Sequence, residues 1–172
     1  LKNTMTHKTL LTIGAGPGIG LATARRFAAE GYRVVLASRN PQRLRDSIAD
    51  ADSFAFDRVD ASDPHDVAAL VARHADQLAV LHFNTGVLHY SAAGELQPRP
   101  LASETVESLI ADLQTNVTSA LAAIGPAADA IERNGGGSVL LTGGGLGIEP
   151  SPQFVTLSTG KAALRAAAKA LF

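Results

Sequence analysis

The sequence predicts an α/β protein built on a doubly wound parallel sheet of about five strands. Three observations carry that expectation. Short apolar runs bounded by turn residues alternate with helix-period stretches along the whole chain. The runs are almost continuously apolar rather than alternating, as in parallel strands covered on both faces. The first strand–helix junction holds a glycine-rich run, Gly14-Ala15-Gly16-Pro17-Gly18-Ile19-Gly20.

Taken in order, the first strand is read as Thr9–Ile13, followed by a helix over Ile19–Glu30 that sets Leu21, Ala24, Phe27 and Ala28 on one face. Gly31 stands as its stop. A second strand, Arg33–Ser38, leads into a helix over Pro41–Ala51, with Asn40 as the cap and proline at the first helical position. The third strand is Ser53–Val59, and Asp63-Pro64 repeats the same start signal for a helix over Pro64–Asp76. The fourth strand is Leu78–Phe83. A long helix over Ser103–Glu132 takes Ser103 as its start and the glycines at 135–137 as its stop. The fifth strand is Ser138–Thr142, a second glycine cluster occupies 143–147, and the last helix covers Gln153–Phe172. Leu164, Ala167, Ala168 and Leu171 form an apolar stripe on that helix that wants cover, so the fold reads as truncated at its C-terminal end. Residues 1–172 read as one domain, with 1–6 expected to be disordered and Met5 a candidate start.

The chain has 172 residues, 46% hydrophobic and 18% charged, an ordinary globular balance. A net charge of -1 gives no reason to expect nucleic acid or an anionic membrane as a partner. No apolar run approaches the roughly 20 residues that span a bilayer. With no cysteine there is no disulfide, thiolate nucleophile or thiolate metal site, and the expected location is cytoplasmic. His7, His65, His74 and His82 lack ligand spacing and no paired-carboxylate motif appears, so no metal is expected.

Glycine at the first junction permits unusual backbone angles and lets a ligand approach the main chain closely. The helix that starts there points its free N–H groups and positive dipole end at whatever the loop holds, which suits the pyrophosphate of a dinucleotide. The spacing departs from GxGxxG because Ile19 takes the place of its last glycine. The bland alternative is a tight structural turn.

Gly14-x3-Gly18-Ile19-Gly20, Ser38-Arg39-Asn40, Asp60, Asn84-Thr85-Gly86, Asn116 and Lys161 together resemble the short-chain dehydrogenase/reductase family, in its order and spacing over nearly the whole chain. The resemblance implies a Rossmann-like fold and hydride transfer between NADP(H) and a carbonyl or alcohol substrate. It places Gly14, Gly16, Gly18, Ile19 and Gly20 at the cofactor pyrophosphate. It also places Asp60 near the adenine amino group, Asn84 and Gly86 along the cofactor, and Lys161 at the nicotinamide ribose. Asn116 resembles the asparagine that orders a water-linked proton path. Two small departures are Ile13, where the family usually has threonine, and Asn84-Thr85-Gly86, which differs from the family's Asn-x-Ala-Gly form. An acidic residue after the second strand would bond the free 2′-hydroxyl of NAD. Arginine instead offers a fork of donors to a 2′-phosphate, so Ser38-Arg39 favours NADP over NAD. The alternative is a solvated arginine at a helix start.

At the reaction centre the pattern breaks. The family's tyrosine, four residues before its lysine, is Leu157 here, and its serine, about thirteen residues earlier, falls on Gly144. A positioned general acid contributes about 10²–10⁴-fold in rate. The usual route is therefore expected to be absent or weak, with Lys161 and Asn116 the catalytic-centre residues that remain. Candidate substitutes are Thr142, Thr156, Ser158, Thr159, His89 and Tyr90. Three functional readings follow: a dehydrogenase/reductase with a degenerate centre, a non-catalytic NADP-binding sensor or scaffold, and an inactive fragment. Family resemblance also implies a homodimer or homotetramer, through Val117, Ala120, Leu121, Ala123 and Ile124 on the long helix and Ala163, Leu164, Ala167 and Leu171 on the last.

Overall fold

The computed structural model describes residues 8–171. The expectations for residues 1–6 and for His7, and the final Phe172, lie outside the described residues. Strands β1 (Thr9–Ile13), β2 (Arg33–Ser38), β3 (Ala55–Arg58), β4 (Leu78–Phe83) and β5 (Ser138–Leu141) form one parallel sheet in the order β3-β2-β1-β4-β5. Helices α1 (Ile19–Ala29), α2 (Pro41–Asp46), α3 (Pro64–Arg73), α4 (Val106–Leu113), α5 (Ser119–Arg133) and α6 (Val155–Leu171) supply the crossovers that parallel pairing requires. The expected doubly wound architecture is therefore what the chain adopts.

Every residue of β1 and β4 is buried, which explains their continuous apolar character. Alternate side chains serve opposite faces. Leu11, Ile13, Val35 and Phe83 pack with Val67, Leu70 and Val71 of α3 and with the small residues of α5. Leu10, Val34 and Leu36 pack with Leu21 and Ala24 of α1 and Leu44 of α2. Gly31 has φ +83°, the left-handed geometry expected just past a helix end.

Several boundaries differ from the sequence reading: α1, α3 and β5 end one to three residues early, α6 starts two residues late, and four larger changes have local reasons. Helix α2 stops at Asp46, because the chain turns through a 3₁₀ segment, Ala51–Ser53, to aim Phe54 inward. Strand β3 is confined to Ala55–Arg58, the length paired with β2. Ser103 does not start a helix: it closes a 3₁₀ turn by bonding Pro100 O, and Thr105 is the cap, exchanging bonds with Ser108 in a capping box. The long helix is two helices joined by a π-helical turn, Gln114–Thr118. The stripes assigned to partner contacts also need correction. Ala120, Ala123, Ile124 and Leu164 are buried within this chain, with Ala120, Ala123 and Leu164 in one core cluster. Exposed apolar residues on α4 and α5 are instead Val106, Ile110 and Leu121.

Candidate functional site: a cleft at the carboxyl ends of the strands

The chain leaves β1 toward β2 and β3, then returns to place β4 on β1's other side. Such a reversal of strand order leaves a crevice beyond the strand ends, the usual ligand position in open α/β sheets. A cavity of about 530 Å³ lies there, walled by the segments after β1, β2, β3 and β4 and by one side of α4. Of the residues marked by the sequence, Gly14, Ser38, Arg39, Asp60, Asn84 and Gly86 line it directly.

The glycine loop is built by close approach on one side and open space on the other. Gly14 has φ +80°, and a Cβ there would lie 2.7 Å from Thr85 Oγ1. A Cβ on Gly20 would lie 3.1 Å from Asn84 Nδ2, whereas Gly16 and Gly18 face nothing within 4 Å. Gly14 and Ala15 both donate to Ala37 O, which fixes the loop on β2. Helix α1 then begins on Gly18, with no side chain capping its amides, and Ile19 is exposed at its first turn. A cradle floored by backbone and open above, at a helix start with uncapped amides, fits an anionic diphosphate.

At the β2 end, Ser38 Oγ is buried without a partner, and the exposed Arg39 has no ion-pair partner among the described residues. Asp60 does the work of a turn cap as well as lining the cavity. Its Oδ1 accepts from Ser62 N and Ser62 Oγ at 3.0 and 2.7 Å. Those bonds, with the positive charge of Arg39 and Arg58 nearby, hold the Asp60 carboxyl below the usual range.

The lysine end is assembled by three close contacts. Lys161 donates to Thr85 O at 3.1 Å and Thr142 O at 2.8 Å, and burial pushes its ammonium pKa down. Gly86 leaves room for it, since a Cβ there would lie 3.4 Å from Lys161 Nζ and 3.9 Å from Leu157 Cδ1. Gly160 lets α6 press on the π-helical turn, a Cβ there lying 2.7 Å from Asn116 Cβ. Such turns are frequent at functional sites. Asn116 is buried, accepts from Val87 N at 3.0 Å through Oδ1, and leaves Nδ2 without a protein partner. Leu157 is buried beside Lys161 and Gly86. Gly144 is exposed, with extended backbone and nothing within 4 Å of a Cβ position.

Most of the suggested substitutes are occupied elsewhere. Ser158 Oγ accepts from Ser151 N, Thr159 is exposed on α6, and Tyr90 is exposed. Thr142 Oγ1 donates to Asn84 Oδ1. His89 has both ring nitrogens engaged: Nδ1 is 3.2 Å from Arg99, which can only donate, so Nε2 carries the proton and faces Asp112 Oδ2 at 3.2 Å. Thr156 donates to that same Asp112 oxygen at 2.9 Å. Asp112 lines the cavity, is buried, and was passed over by motif reading. The one signal for it was a carboxylate one turn before Asn116 on a helix that is otherwise apolar there.

Among the described residues no group of three or more His, Cys, Asp and Glu side chains is placed to hold a metal ion. No helix among them is long and apolar enough to cross a membrane.

The sheet order and the crevice at its reversal define a Rossmann-type α/β protein. Its family is then fixed by sequence: the family model described as short chain dehydrogenase matches residues 8–172, and the chain belongs to that family. It is similar to a 2,5-dichloro-2,5-cyclohexadiene-1,4-diol dehydrogenase of Sphingobium indicum, 25% identical over 99% of this chain and 68% of that protein. It is also similar to dehydrogenase/reductase SDR family member 4 of Rattus norvegicus, 28% identical over 95% of this chain and 58% of that protein. A solved short chain dehydrogenase/reductase family protein superposes with a TM-score of 0.79 at 28% identity, covering 93% of this chain and 65% of that one. The chain thus spans about two thirds of the length of such proteins.

Proposed function

We propose that this chain is an NADP(H)-binding oxidoreductase of the family with a degenerate reaction centre. The observation that carries the reading is Arg39, which makes no salt bridge among the described residues, beside the partnerless Ser38 hydroxyl on the wall of a cavity that also opens on the glycine loop. Gly14, Gly16, Gly18, Ile19 and Gly20 would hold the pyrophosphate. Ser38 and Arg39 would hold the 2′-phosphate, Asp60 the adenine edge, Asn84 and Gly86 the middle of the cofactor, and Lys161 the nicotinamide ribose. When bound, the nicotinamide supplies or accepts hydride. The family's acid position holds Leu157, and Gly144 brings no hydroxyl to a substrate carbonyl. Charge developing on a reduced ketone oxygen then has no donor, and stabilising such charge is usually the largest catalytic contribution. The nominal substrate class is carbonyl or alcohol, in keeping with a relative named as a diol dehydrogenase.

A second reading, a non-catalytic NADP(H) sensor or scaffold, is favoured specifically by Leu157. NADPH oxidation against a panel of aldehydes and ketones tests the degenerate centre that both readings share, and a residual turnover above the uncatalysed rate separates the oxidoreductase from the sensor or scaffold. Negligible turnover with intact NADPH binding is expected, and brisk reduction of an ordinary ketone would refute a degenerate centre. We further propose a cytoplasmic location, no nucleic-acid partner, and a homodimer or homotetramer formed through the exposed Val106, Ile110 and Leu121.

A further inference from the structure

We propose that His82 is a positioning residue for the glycine loop, acting through a file of hydrogen bonds that ends on the Gly14 carbonyl; the inference rests on the NADP(H)-binding reading above. His82 sits within β4, whose other residues are Leu78, Ala79, Val80, Leu81 and Phe83, and is 3% exposed. Burial pushes the imidazole pKa down, so the ring is neutral and carries a single N–H. Its Nε2 lies 3.0 Å from Thr142 Oγ1, and that hydroxyl lies 2.8 Å from Asn84 Oδ1.

Donor directions along this file are fixed by elimination. Asn84 Nδ2 donates to Gly14 O at 3.0 Å, so the amide must be oriented with Oδ1 toward Thr142. An amide oxygen only accepts, so Thr142 must donate its one proton to Asn84. The Thr142 oxygen is then free only to accept from His82, which puts the ring proton on Nε2. Nδ1 is left buried with no partner among the described residues. An apolar residue at position 82 would avoid that orphan but would also lose the bond made by Nε2.

The same threonine also holds Lys161, because its carbonyl accepts from the ammonium at 2.8 Å. One residue of the β5 end therefore ties the glycine loop through its hydroxyl and the lysine through its main chain. His82 fixes the hydroxyl from behind, Asn84 is held in one orientation, and Gly14 keeps its φ +80° turn against Thr85.

The test is NADPH affinity and thermal midpoint measured side by side for the full chain and four variants. Thr142→Val and His82→Leu break the file, whereas Thr142→Ser and His82→Gln keep a hydroxyl and a donor. The expected result is roughly tenfold weaker NADPH binding for the first two and binding within about threefold of the parent for the second two, the size of one ordinary hydrogen bond. The His82→Leu midpoint should not fall in step with its affinity, which separates positioning from general loosening. Equal affinities in all five proteins would overturn the inference, as would equal losses in the conservative and disruptive variants. A parent chain that binds no NADPH would instead remove the reading on which it rests.

Discussion

On the proposed reading Leu157 is the residue that most limits the chemistry, and the sequence offers it through its four-residue spacing from Lys161. The structure gives its consequence a physical form: an apolar side chain packed beside Gly86 and Lys161, with an exposed Gly144 opposite no steric obstacle. Extended backbone at Gly144 and empty space around its Cβ position make Gly144→Ser easy to accommodate. We expect Leu157→Tyr combined with Gly144→Ser to raise NADPH-dependent ketone reduction by at least about 10²-fold, the lower range for a positioned acid. Steady-state kinetics reads this directly, and unchanged turnover would mean the cleft is unfit for other reasons. Arg39 and Asp60 could be placed at the strand ends from sequence, and both line the cavity. Asp112 and His82 could not be placed, since their partners Thr156 and Thr142 lie far along the sequence and only the fold brings them together.

Elements were legible wherever periodicity was strong and local. Strands β1, β2 and β4 fall where their apolar runs end, and Asn40-Pro41 and Asp63-Pro64 cap α2 and α3 as read. Hydrogen bonding within the 3₁₀ turns and the π-helical turn has no comparable sequence signature, so the Ser103 start and the single long helix were misplaced. That turn makes a sharp prediction, because Gly160 packs directly against its Asn116. Gly160→Ala should push α6 away from Asn116 and destabilise the fold by about 1–3 kcal/mol, the usual cost of overpacking, as read by denaturant unfolding. An unchanged midpoint would contradict the contact. A second prediction concerns the join of β3 to α3. Burial disfavours the charged form of Asp57, but bonds from His74 and Arg73 and from the Arg58 amide outweigh it and hold the carboxyl below the usual range. A depressed carboxylate contributes stability above its unfolded pKa of about 3.9 that is lost as pH falls through the lower folded value. Melting the Asp57→Asn variant from pH 7 downward should show a shallower acid loss than the parent, and parallel curves would refute the pairing.

At the scale of the whole molecule, the alternating pattern was enough to give the sheet, its parallel sense and the position of the cleft, because crossover rules leave few other windings. Contacts between copies were not legible in the same way. Ala120, Ala123, Ile124 and Leu164 share the small or apolar character of an interface, yet this chain's own core uses them. If the exposed face of α4 and α5 is the interface, sedimentation should show a dimer or tetramer that Ile110→Lys with Leu121→Lys reduces to monomer. A monomeric parent at micromolar concentration would contradict it. The central claim is that the cleft is built for a dinucleotide carrying a 2′-phosphate, and calorimetric titration of the full chain with NADPH and NADH tests it most directly. A charge-assisted contact of the kind Arg39 offers contributes roughly 1.5–3 kcal/mol, so NADPH should bind about ten- to a hundredfold more tightly. Arg39→Ala should bring the two cofactors close together. Equal affinity of the unaltered chain for NADPH and NADH, or binding of neither, would contradict the account.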